Sequence, residues 1–522
     1  MLFNSYAFVF VFLPLFVIGF YTFSYFTCAG LSQKPSLARR LEGLYFVIFS
    51  FVFFSFFGIK VLGVLIISLI WNYIFLRLLG RGDFTAKKEN SSNNARNIKA
   101  ILFIAILGNL ALLLFFKYAG FFASLINFFL STSISASMLL PIAISFYTFS
   151  QISLIVDVYR GEVIDISLID YLAYITFFPK ILQGPIVRYN DMREEFDKAL
   201  SHKWNSEDFM QALMFFVLGL SKKVIIADTL GVAVDYGYES LSTLTAMDAV
   251  LTSICYSFQI YFDFSGYCDM GRGICKMIGM DLPVNFESPY KARNIDDFWK
   301  RWHITLTGFF TRYVYIPLGG NRKGRLKTYI NFIIIFILSG FWHGAGISFI
   351  IWGAMHGVLY VITRALRNRL IKTPNASNTV NKSEQGYKLL PYPIALILTF
   401  IFVTIAWIFF RADTLADAAC LIQAMFQNTS LKISQGFIEC FQIDELWYIF
   451  KMTPLASKSF GPALCMWIII AVSAFFAFIS PSAARLTERH KVTLKGAIVL
   501  AILLVFSIIK FANVSTYIYL GF

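Results

Sequence analysis

Apolar stretches long enough to cross a lipid bilayer recur along this chain from Tyr6 almost to its last residues. A chain that is 58% hydrophobic and 14% charged has too few polar groups to cover a water-exposed surface. Since a transmembrane helix needs about 20 mainly apolar residues, we predict an all-α, polytopic integral membrane protein with about 10 to 12 crossings. Residues 1–522 are expected to form a single membrane-embedded domain, with core motifs in 140–412 and C-terminal helices in 390–522. The candidate spans are Tyr6–Phe26, Tyr45–Phe57, Val61–Phe75, Ile101–Phe116, Met138–Ile155, Phe209–Leu220, Ala246–Phe262, Ile394–Phe410, Met466–Ile479 and Ala497–Ile509.

The distribution of lysine and arginine predicts the orientation of these spans. Two cation-rich loops, Lys34–Arg40 and Arg77–Lys99, bracket two apolar segments and therefore lie on the cytoplasmic side. The same rule places Arg364–Lys388 and Arg485–Lys495 inside, and Arg411–Lys458 outside. The net charge of +15 is explained by these loops, so it gives no reason to expect nucleic-acid binding. The first apolar stretch has no preceding cation and is longer than a signal-peptide core, so we expect a retained helix.

The seven cysteines form no CxxC pair and no cysteine–histidine spacing suited to zinc, so they are predicted to be packing residues and no metal is expected. Two polar segments rich in asparagine and serine, Glu89–Asn97 and Thr373–Gln385, are predicted to be linkers.

The segment Asp281–Gly324 is long, basic and dense in tryptophan, tyrosine and histidine. Its core is predicted to be a helix, with Asn294 as N-cap and acid-first i,i+4 pairs. One face of this helix is aromatic and the opposite face is basic, so we expect it to lie at the membrane surface. His303 falls at the edge of the apolar stripe. The segment is either an interfacial anchor or part of a site, and both interpretations can hold together.

A second histidine lies in Leu338–Gly346, inside an apolar run from Tyr329 to Tyr360 that is too long for one span and too short for two. Glycines flank His343 and weaken the helix, so two elements are predicted to meet within the membrane at a break. His343 would then line a protein-enclosed cavity, or it would be a neutral structural histidine that bonds a carbonyl group at the break. His356 lies 13 positions later. On a continuous helix it would be about 220° around the axis, so the two histidines could not share a face.

Two carboxylates, Asp263 and Asp269, lie among aromatic residues at the end of another span. Buried carboxylates need partners. Arg272 is the candidate partner for Asp269, and cations of the amphipathic helix are candidates for Asp263. A structural ion pair and active-site scaffolding both remain possible roles. Pro141–Phe149 and Phe177–Pro185 are predicted to be kinked or re-entrant elements.

At these residues the sequence resembles the membrane-bound O-acyltransferase family, in particular its bacterial branch of alginate O-acetylases and peptidoglycan O-acetyltransferase membrane subunits. The similarity spans most of the chain. The motifs that carry it are LPIAISFYTFSQISLIVDVYRG at Leu140–Gly161, GPIVRY at Gly184–Tyr189, GLSKKVIIAD at Gly219–Asp228, YFDFSGYCDM at Tyr261–Met270, NFESPYKARNIDDFWKRWHITL at Asn285–Leu306, YIPLGGNRKG at Tyr315–Gly324, SGFWHGAGISFIIWGAMHG at Ser339–Gly357 and WIFFRA at Trp407–Ala412.

The resemblance implies that His343 of the Trp-His-Gly motif is the catalytic residue and that His303 is its second polar partner. It implies a location in the bacterial inner membrane and a funnel that admits the acyl donor from the cytoplasm. For this branch the expected donor is acetyl-CoA, which is a substrate and not a bound cofactor. The acetyl group would pass to the extracytoplasmic side, where a separate periplasmic SGNH/GDSL-like acetyltransferase often completes transfer to a polysaccharide such as alginate or peptidoglycan. Membrane lipid would surround the chain.

Acyl transfer from a thioester to a hydroxyl needs a base, stabilisation of an oxyanion and exclusion of water. A buried imidazole is neutral at pH 7, so His343 is expected to be available as the base. Candidate oxyanion donors are His303, Asn285 and backbone N–H groups freed between Gly340 and Gly346. The cations Lys300, Arg301, Arg312, Arg322 and Lys323 are candidate contacts for the phosphates of CoA. The substrate-binding candidates are Asp263, Asn285, Trp299, Lys300, Arg301, Trp302, Arg312, Arg322 and Trp342.

Three alternatives stay open at the level of sequence. The acyl group could be D-alanine, passed from a carrier protein to teichoic acid. The chain could also be a transporter or flippase, although it has no internal repeat. A structural scaffold would leave the histidines unexplained. The sequence contains no GxSxG elbow, P-loop or GxGxxG motif.

Overall fold

A computed structural model describes residues 1–31, 35–80, 92–130, 140–370, 390–427, 431–442, 451–453, 460–489, 493–513 and 517–518. These residues form helices and connecting loops, and no strand occurs among them, in agreement with the predicted all-α class. Lipid favours this outcome because a helix satisfies its backbone N–H and C=O groups internally. The helices are α1 Leu13–Leu31, α2 Pro35–Ser55, α3 Ile59–Gly80, α4 Ser92–Leu130, α5 Ile144–Tyr159, α6 Leu168–Thr176, α7 Phe178–Ile181, α8 Tyr189–Ser201, α9 Ser206–Ser221, α10 Asp228–Glu239, α11 Ala246–Lys276, α12 Ile295–Trp299, α13 Ile304–Phe310, α14 Arg325–His343, α15 Ile347–Leu370, α16 Tyr392–Arg411, α17 Leu415–Gln427, α18 Gln435–Glu439, α19 Gly461–Phe478, α20 Ala483–Arg489 and α21 Leu494–Ile509.

Eight helical segments in the described part of the chain are long and apolar enough to cross a membrane. Two shorter apolar helices, α17 and α21, add to them. The chain is therefore a multi-pass membrane protein. The eight segments are Phe8–Phe26, Ile59–Gly80, Arg96–Phe121, Ser206–Glu239, Arg325–His343, Ile347–Asn368, Tyr392–Arg411 and Gly461–Phe478.

Some predicted boundaries were wrong. The span predicted at Met138–Ile155 begins as a helix only at Ile144, and Met138 lies outside the described residues. The first predicted linker is helical from Ser92, where α4 begins, and the second linker, Thr373–Gln385, lies outside the described residues. Helix α4 also continues to Leu130, well beyond the predicted limit at Phe116.

Charged residues mark two opposite ends of the helical bundle. At the end called the inner end here, Arg39 at the start of α2 pairs with Asp197 of α8, with 3.3 Å between nitrogen and oxygen. Glu195 of α8 accepts a hydrogen bond from the backbone N–H of Asp281 at 2.6 Å. Arg272, near the last turn of α11, pairs with Asp281 at 2.6 Å. Arg39 belongs to the first cation-rich loop, Lys34–Arg40, which the cation distribution assigns to the cytoplasm.

The outer end carries the first turn of α11 and the last turn of α16. Asp248 at the start of α11 accepts a hydrogen bond from the backbone N–H of Ser434 at 3.0 Å. Arg411, the last residue of α16, pairs with Asp235 at 2.9 Å. This grouping agrees with the predicted extracytoplasmic placement of the segment that begins at Arg411.

Helices α14 and α15 form an antiparallel hairpin that two glycines hold in close contact. A Cβ atom on Gly340 would lie 2.2 Å from the carbonyl oxygen of Phe349, and one on Gly353 would lie 2.3 Å from that of Phe336. Only glycine allows such an approach. The predicted break between two elements is confirmed. Each helix is nevertheless long enough to cross the bilayer, because both extend beyond the apolar run into polar residues.

The segment predicted as one amphipathic helix is broken in two. Helix α12 ends at Trp299, and His303 adopts a left-handed conformation, with φ at 45°, before α13 begins. The backbone N–H of Ile304 instead donates to the carbonyl oxygen of Asn285 at 3.0 Å. Asn285, which precedes the predicted helix, thus accepts a hydrogen bond from an N–H group that a continuous helix would have used.

The aromatic face of the same segment is buried inside the protein, so its tryptophans do not face lipid as an interfacial anchor would require. Phe298 and Trp302 are buried, and the ring of Trp302 packs 5.0 Å from that of Trp407 in α16. The predicted i,i+4 pairs are present, with Lys300 at 3.0 Å from Asp296 and Arg301 at 2.8 Å from Asp297.

Candidate active site

His343 is the last residue of α14, and aromatic rings enclose its imidazole. Its ring centre lies 4.7 Å from that of Trp342, 5.2 Å from that of Trp352 and 5.1 Å from that of Phe410. The side chain is buried. The helix stops here because Gly344 adopts an extended conformation. The imidazole is therefore enclosed by apolar rings and shielded from bulk solvent.

The hairpin carries His343 far from the inner end of the bundle. Helix α14 has 19 residues, which corresponds to about 28 Å of helix from Arg325. Phe410, which contacts His343, directly precedes Arg411 at the outer end. His343 thus lies close to the outer end of the bundle.

His303 is buried between α12 and α13 and packs against α11. Its ring centre lies 4.8 Å from that of Phe264 in an edge-to-face arrangement. Its Nδ1 atom lies 3.2 Å from the Oδ1 atom of Asn285. The Nε2 atom is buried and has no hydrogen-bond partner among the described residues. A left-handed conformation at a residue other than glycine costs about 1 to 3 kcal/mol and is concentrated at functional sites.

The orientation of the Asn285 amide determines the tautomer of His303. The Oδ1 atom of Asn285 accepts hydrogen bonds from the backbone N–H of Thr305 at 3.2 Å and from its hydroxyl group at 2.9 Å. Its Nδ2 atom donates to Cys268 at 3.5 Å. Since Oδ1 faces the ring, Nδ1 of His303 carries the proton. In the neutral imidazole Nε2 is then an acceptor and not a donor.

Trp342 joins the two histidines. Its ring centre lies 6.5 Å from that of His303 and 4.7 Å from that of His343. It also stacks on Phe149 of α5 at 5.0 Å. The fold thus brings together the two histidines that the sequence predicted, through a shared aromatic neighbour.

The break in the hairpin also brings His356 to this site. His343 and His356 both pack against Trp352, with ring centres at 5.2 and 5.0 Å. The indole N–H of Trp299 donates to Nδ1 of His356 at 3.2 Å. The expectation of opposite faces applied to a continuous helix. It does not hold here because the chain turns back after His343.

A cavity of about 650 Å³ opens at the inner end and extends toward His303. Thr305, which bonds Asn285, forms part of its deep wall together with Gly308 and Phe309 of α13. The mouth of the cavity, at the inner end, is lined by four cations and four carboxylates: Arg188, Lys198, Arg272, Arg312, Asp191, Glu194, Glu195 and Asp281. A charged mouth and an apolar interior suit a polar molecule that carries a small reactive group.

Ion pairs at the mouth fix the charge of Asp281. Burial alone would raise the pKa of this carboxyl group, but hydrogen bonding and the positive charges of Arg272 and Lys276 outweigh burial and lower the pKa overall. Asp281 is therefore ionised at neutral pH and orients the guanidinium group of Arg272. Among the described residues no group of three histidine, cysteine or acidic side chains is arranged to hold a metal ion.

Comparison with known proteins identifies the family. Residues 144–390 match the sequence profile of the membrane-bound O-acyltransferase family. The chain is 36% identical over 451 residues to the peptidoglycan O-acetyltransferase of Helicobacter pylori, an alignment that covers 81% of this chain and 80% of that protein. It is 35% identical over 441 residues to a probable alginate O-acetylase of Pseudomonas putida, covering 83% and 82%. A teichoic acid D-alanyltransferase of Bacillus subtilis is 28% identical over 286 residues, covering 52% and 68%.

The chain belongs to the membrane-bound O-acyltransferase family. The predicted resemblance is thereby confirmed, and this acyltransferase is an enzyme, which removes the transporter and scaffold alternatives. Its two predicted histidines lie together in the fold.

The cations predicted to bind phosphate are distributed over different surfaces of this acyltransferase. Arg312 lines the large cavity and bonds Glu162. Lys300 lines a second cavity of about 100 Å³ on the other side of α13. Arg301 pairs with Asp297, and Arg322 is exposed on the loop before α14. Of the predicted set, only Arg312 faces the larger cavity.

Asp263 does not meet the amphipathic segment, so that predicted pairing was wrong. Its carboxylate pairs with the ammonium group of Lys223 at 2.7 Å, and the same ammonium group lies 2.7 Å from Asp228. The partner predicted for Asp269 was also wrong, because Lys222 bonds it at 2.6 Å while Arg272 pairs elsewhere. Successive side chains of a helix point in different directions, so Asp263 lies on a different side of α11 from Phe264, which contacts His303.

Sequence reasoning missed two features of this acyltransferase. Arg188 lines the large cavity, although it was not among the predicted substrate-binding residues. Lys117 of α4 donates a hydrogen bond to the carbonyl oxygen of Trp342 at 2.5 Å. The sequence signal for Lys117 is a cation inside an apolar helix. It was overlooked because the predicted span, Ile101–Phe116, stopped one residue before Lys117.

Proposed function

We propose that this enzyme takes an acetyl group from cytoplasmic acetyl-CoA and passes it across the bacterial inner membrane for O-acetylation of a cell-envelope polysaccharide. One observation carries the proposal. The large cavity opens at the inner end and reaches toward His303, whereas His343 lies close to the outer end, and Trp342 packs against both histidines. A donor from one side and an acceptor from the other could thus approach one site.

The chemistry follows from the groups at that site. His343 accepts the proton of the acceptor hydroxyl group while its oxygen attacks the thioester carbonyl carbon. The C–S bond then breaks, and the thiolate of CoA leaves and takes up a proton. The enclosing rings of Trp342, Trp352 and Phe410 keep water from hydrolysing the donor.

The structure changes which groups are proposed to stabilise the oxyanion. Neutral His303 presents an acceptor at Nε2, and the Asn285 amide is already occupied on both sides, so neither is a suitable donor. The backbone N–H groups of Ala345 and Gly346 have no hydrogen bond within the described part of the chain. They lie beside His343 at the start of α15, where helix N–H groups favour negative charge. We propose these two as the oxyanion donors.

The acetyl group and the polysaccharide are inferred from the relatives. Relatives at 35 to 36% identity over most of the chain carry the names peptidoglycan O-acetyltransferase and probable alginate O-acetylase. The D-alanyltransferase of Bacillus subtilis matches only 52% of the chain. Acetyl transfer is therefore the better-supported chemistry, and a separate periplasmic SGNH/GDSL-like protein is the proposed partner that completes transfer to the polymer.

Ester analysis of the cell envelope tests this proposal. Cells that contain the enzyme are compared with cells that lack it and with cells that contain His343→Ala. We expect acetate esters on an envelope polysaccharide in the first strain only, at equal membrane abundance of both proteins. The control is His202→Ala, a change in a histidine at the inner end of the bundle, which should keep acetylation. D-alanine esters in place of acetate, or acetylation retained by His343→Ala, would contradict the proposal.

A further inference from the structure

Lys117 is an ammonium group placed deep within an apolar helix. It lies 18 residues after Lys99 on α4, about 27 Å along the helix from that inner-end cation. The segment Arg96–Phe121 that contains it is one of the candidate membrane spans. No carboxylate oxygen of the described residues lies within 4.0 Å of its Nζ atom. A charge at such a position is costly and is retained where it serves a function.

The ammonium group is directed at the turn that carries His343. Nζ of Lys117 donates to the carbonyl oxygen of Trp342 at 2.5 Å, and it lies 5.8 Å from the centre of the Trp342 ring. The next residue of the chain is Tyr118, whose ring stacks on Phe341 at 4.4 Å. Two successive residues of α4 thus contact the two residues that precede His343.

The end of α14 needs such a partner. The last carbonyl groups of a helix have no N–H donor within the helix, and this end of the helix dipole is negative. Helix α14 stops at His343 because the chain turns at Gly344, so the carbonyl group of Trp342 depends on another donor. A charged donor gives a hydrogen bond roughly twice as strong as a neutral one.

We propose that Lys117 is a positioning residue for acyl transfer, which fixes the last turn of α14 and therefore the direction of the His343 imidazole. The inference rests on the proposed function. Lys117 acts through the Trp342 carbonyl group and contacts neither donor nor acceptor.

Two substitutions separate this role from simple packing. Lys117→Met keeps the length of the side chain and suits an apolar span, but it removes the donor and the charge. Lys117→Arg keeps both, although it is larger. A packing role predicts that methionine is tolerated better than arginine, whereas a positioning role predicts the reverse order.

The measurements are envelope acetylation in cells and turnover of acetyl-CoA by the full-length purified protein. We expect Lys117→Met to lower kcat on the order of a hundredfold with KM for acetyl-CoA within about twofold of the unchanged protein. Lys117→Arg should recover at least about tenfold of that loss. Lys99→Met, on the exposed inner part of the same helix, should match the unchanged protein.

The proposal fails if Lys117→Met retains the unchanged kcat, or if Lys117→Arg is no more active than Lys117→Met. Should Lys117→Met accumulate poorly in the membrane, Lys117→Leu, which also lacks a donor and a charge, takes its place in the same comparison with Lys117→Arg. An unchanged protein that acetylates nothing would instead overturn the proposed function, so the two failures can be told apart.

Discussion

The Nδ1 atom of His303 lies 3.2 Å from the Oδ1 atom of Asn285, 18 residues earlier in the chain. This contact stabilises the left-handed turn between α12 and α13, next to the part of the large cavity that lies nearest His303. It also directs the unprotonated Nε2 atom of His303 away from Asn285.

Asn285→Ala should therefore lower acetyl transfer. The change removes the acceptor for His303 and for both donors of Thr305, and it leaves buried polar groups without partners. We expect a fall in kcat/KM of about 10- to 100-fold, which equals about 1.4 to 2.8 kcal/mol. Acetyl-CoA turnover by the purified protein measures it. Asn190→Ala, which removes one exposed hydrogen bond, is the control and should have no effect. Equal activity of the two variants would show that Asn285 is not needed for acetyl transfer.

The two faces of α13 provide a test of the donor route. A Cβ atom on Gly308 would meet nothing within 4 Å, and this residue lines the large cavity. Gly308→Leu should fill that cavity and raise KM for acetyl-CoA on the order of tenfold or more. Leucine is also the better helix former, so lost helix stability cannot explain the effect.

Thr307→Leu is the matched control, because Thr307 faces the smaller cavity. It should change KM for acetyl-CoA little. If Thr307→Leu were the variant with impaired acetyl-CoA use, the donor would enter by the smaller cavity beside Lys300.

The buried ion pairs of Lys223 predict an unequal effect of two substitutions. Lys223→Met leaves the carboxylates of both Asp263 and Asp228 buried without this cation, whereas Asp263→Asn leaves the pair with Asp228 in place. Breaking a buried pair costs about 3 to 5 kcal/mol. We expect a clearly lower melting temperature in detergent for Lys223→Met and a smaller decrease for Asp263→Asn. The reverse order would show that Asp228 is not a sufficient counter-ion.

The close approach of α14 and α15 predicts strict glycine requirements. Gly340→Ala and Gly353→Ala would each place a methyl group within 2.3 Å of a backbone carbonyl oxygen. The helices would have to separate, at a cost of about 1 to 3 kcal/mol, and His343 would move with them. Both variants should lose thermal stability and acetylation. Gly63→Ala in α3 meets nothing within 4 Å and should be neutral or slightly stabilising, and a similar loss there would contradict the explanation.

The sequence by itself determined the features that depend on local pattern. Apolar length fixed the membrane class, and the glycines around His343 located the turn of the hairpin. The acid-first spacing gave the pairs Asp296–Lys300 and Asp297–Arg301. Each of these depends on residues within a few helical turns of one another, where the 3.6-residue period dictates which side chains meet.

Only the tertiary structure decided which distant residues meet. The predicted helix around His303 is broken because Asn285, which precedes that helix, accepts hydrogen bonds with its backbone and its side-chain amide. Lys117 reaches Trp342 across 225 residues, and Lys223 reaches Asp263 across 40. No periodicity encodes such pairs, since they depend on how helices pack against one another. A buried charge or amide then takes the partner that packing supplies, because leaving it without a partner in an apolar interior costs more than bending the local backbone.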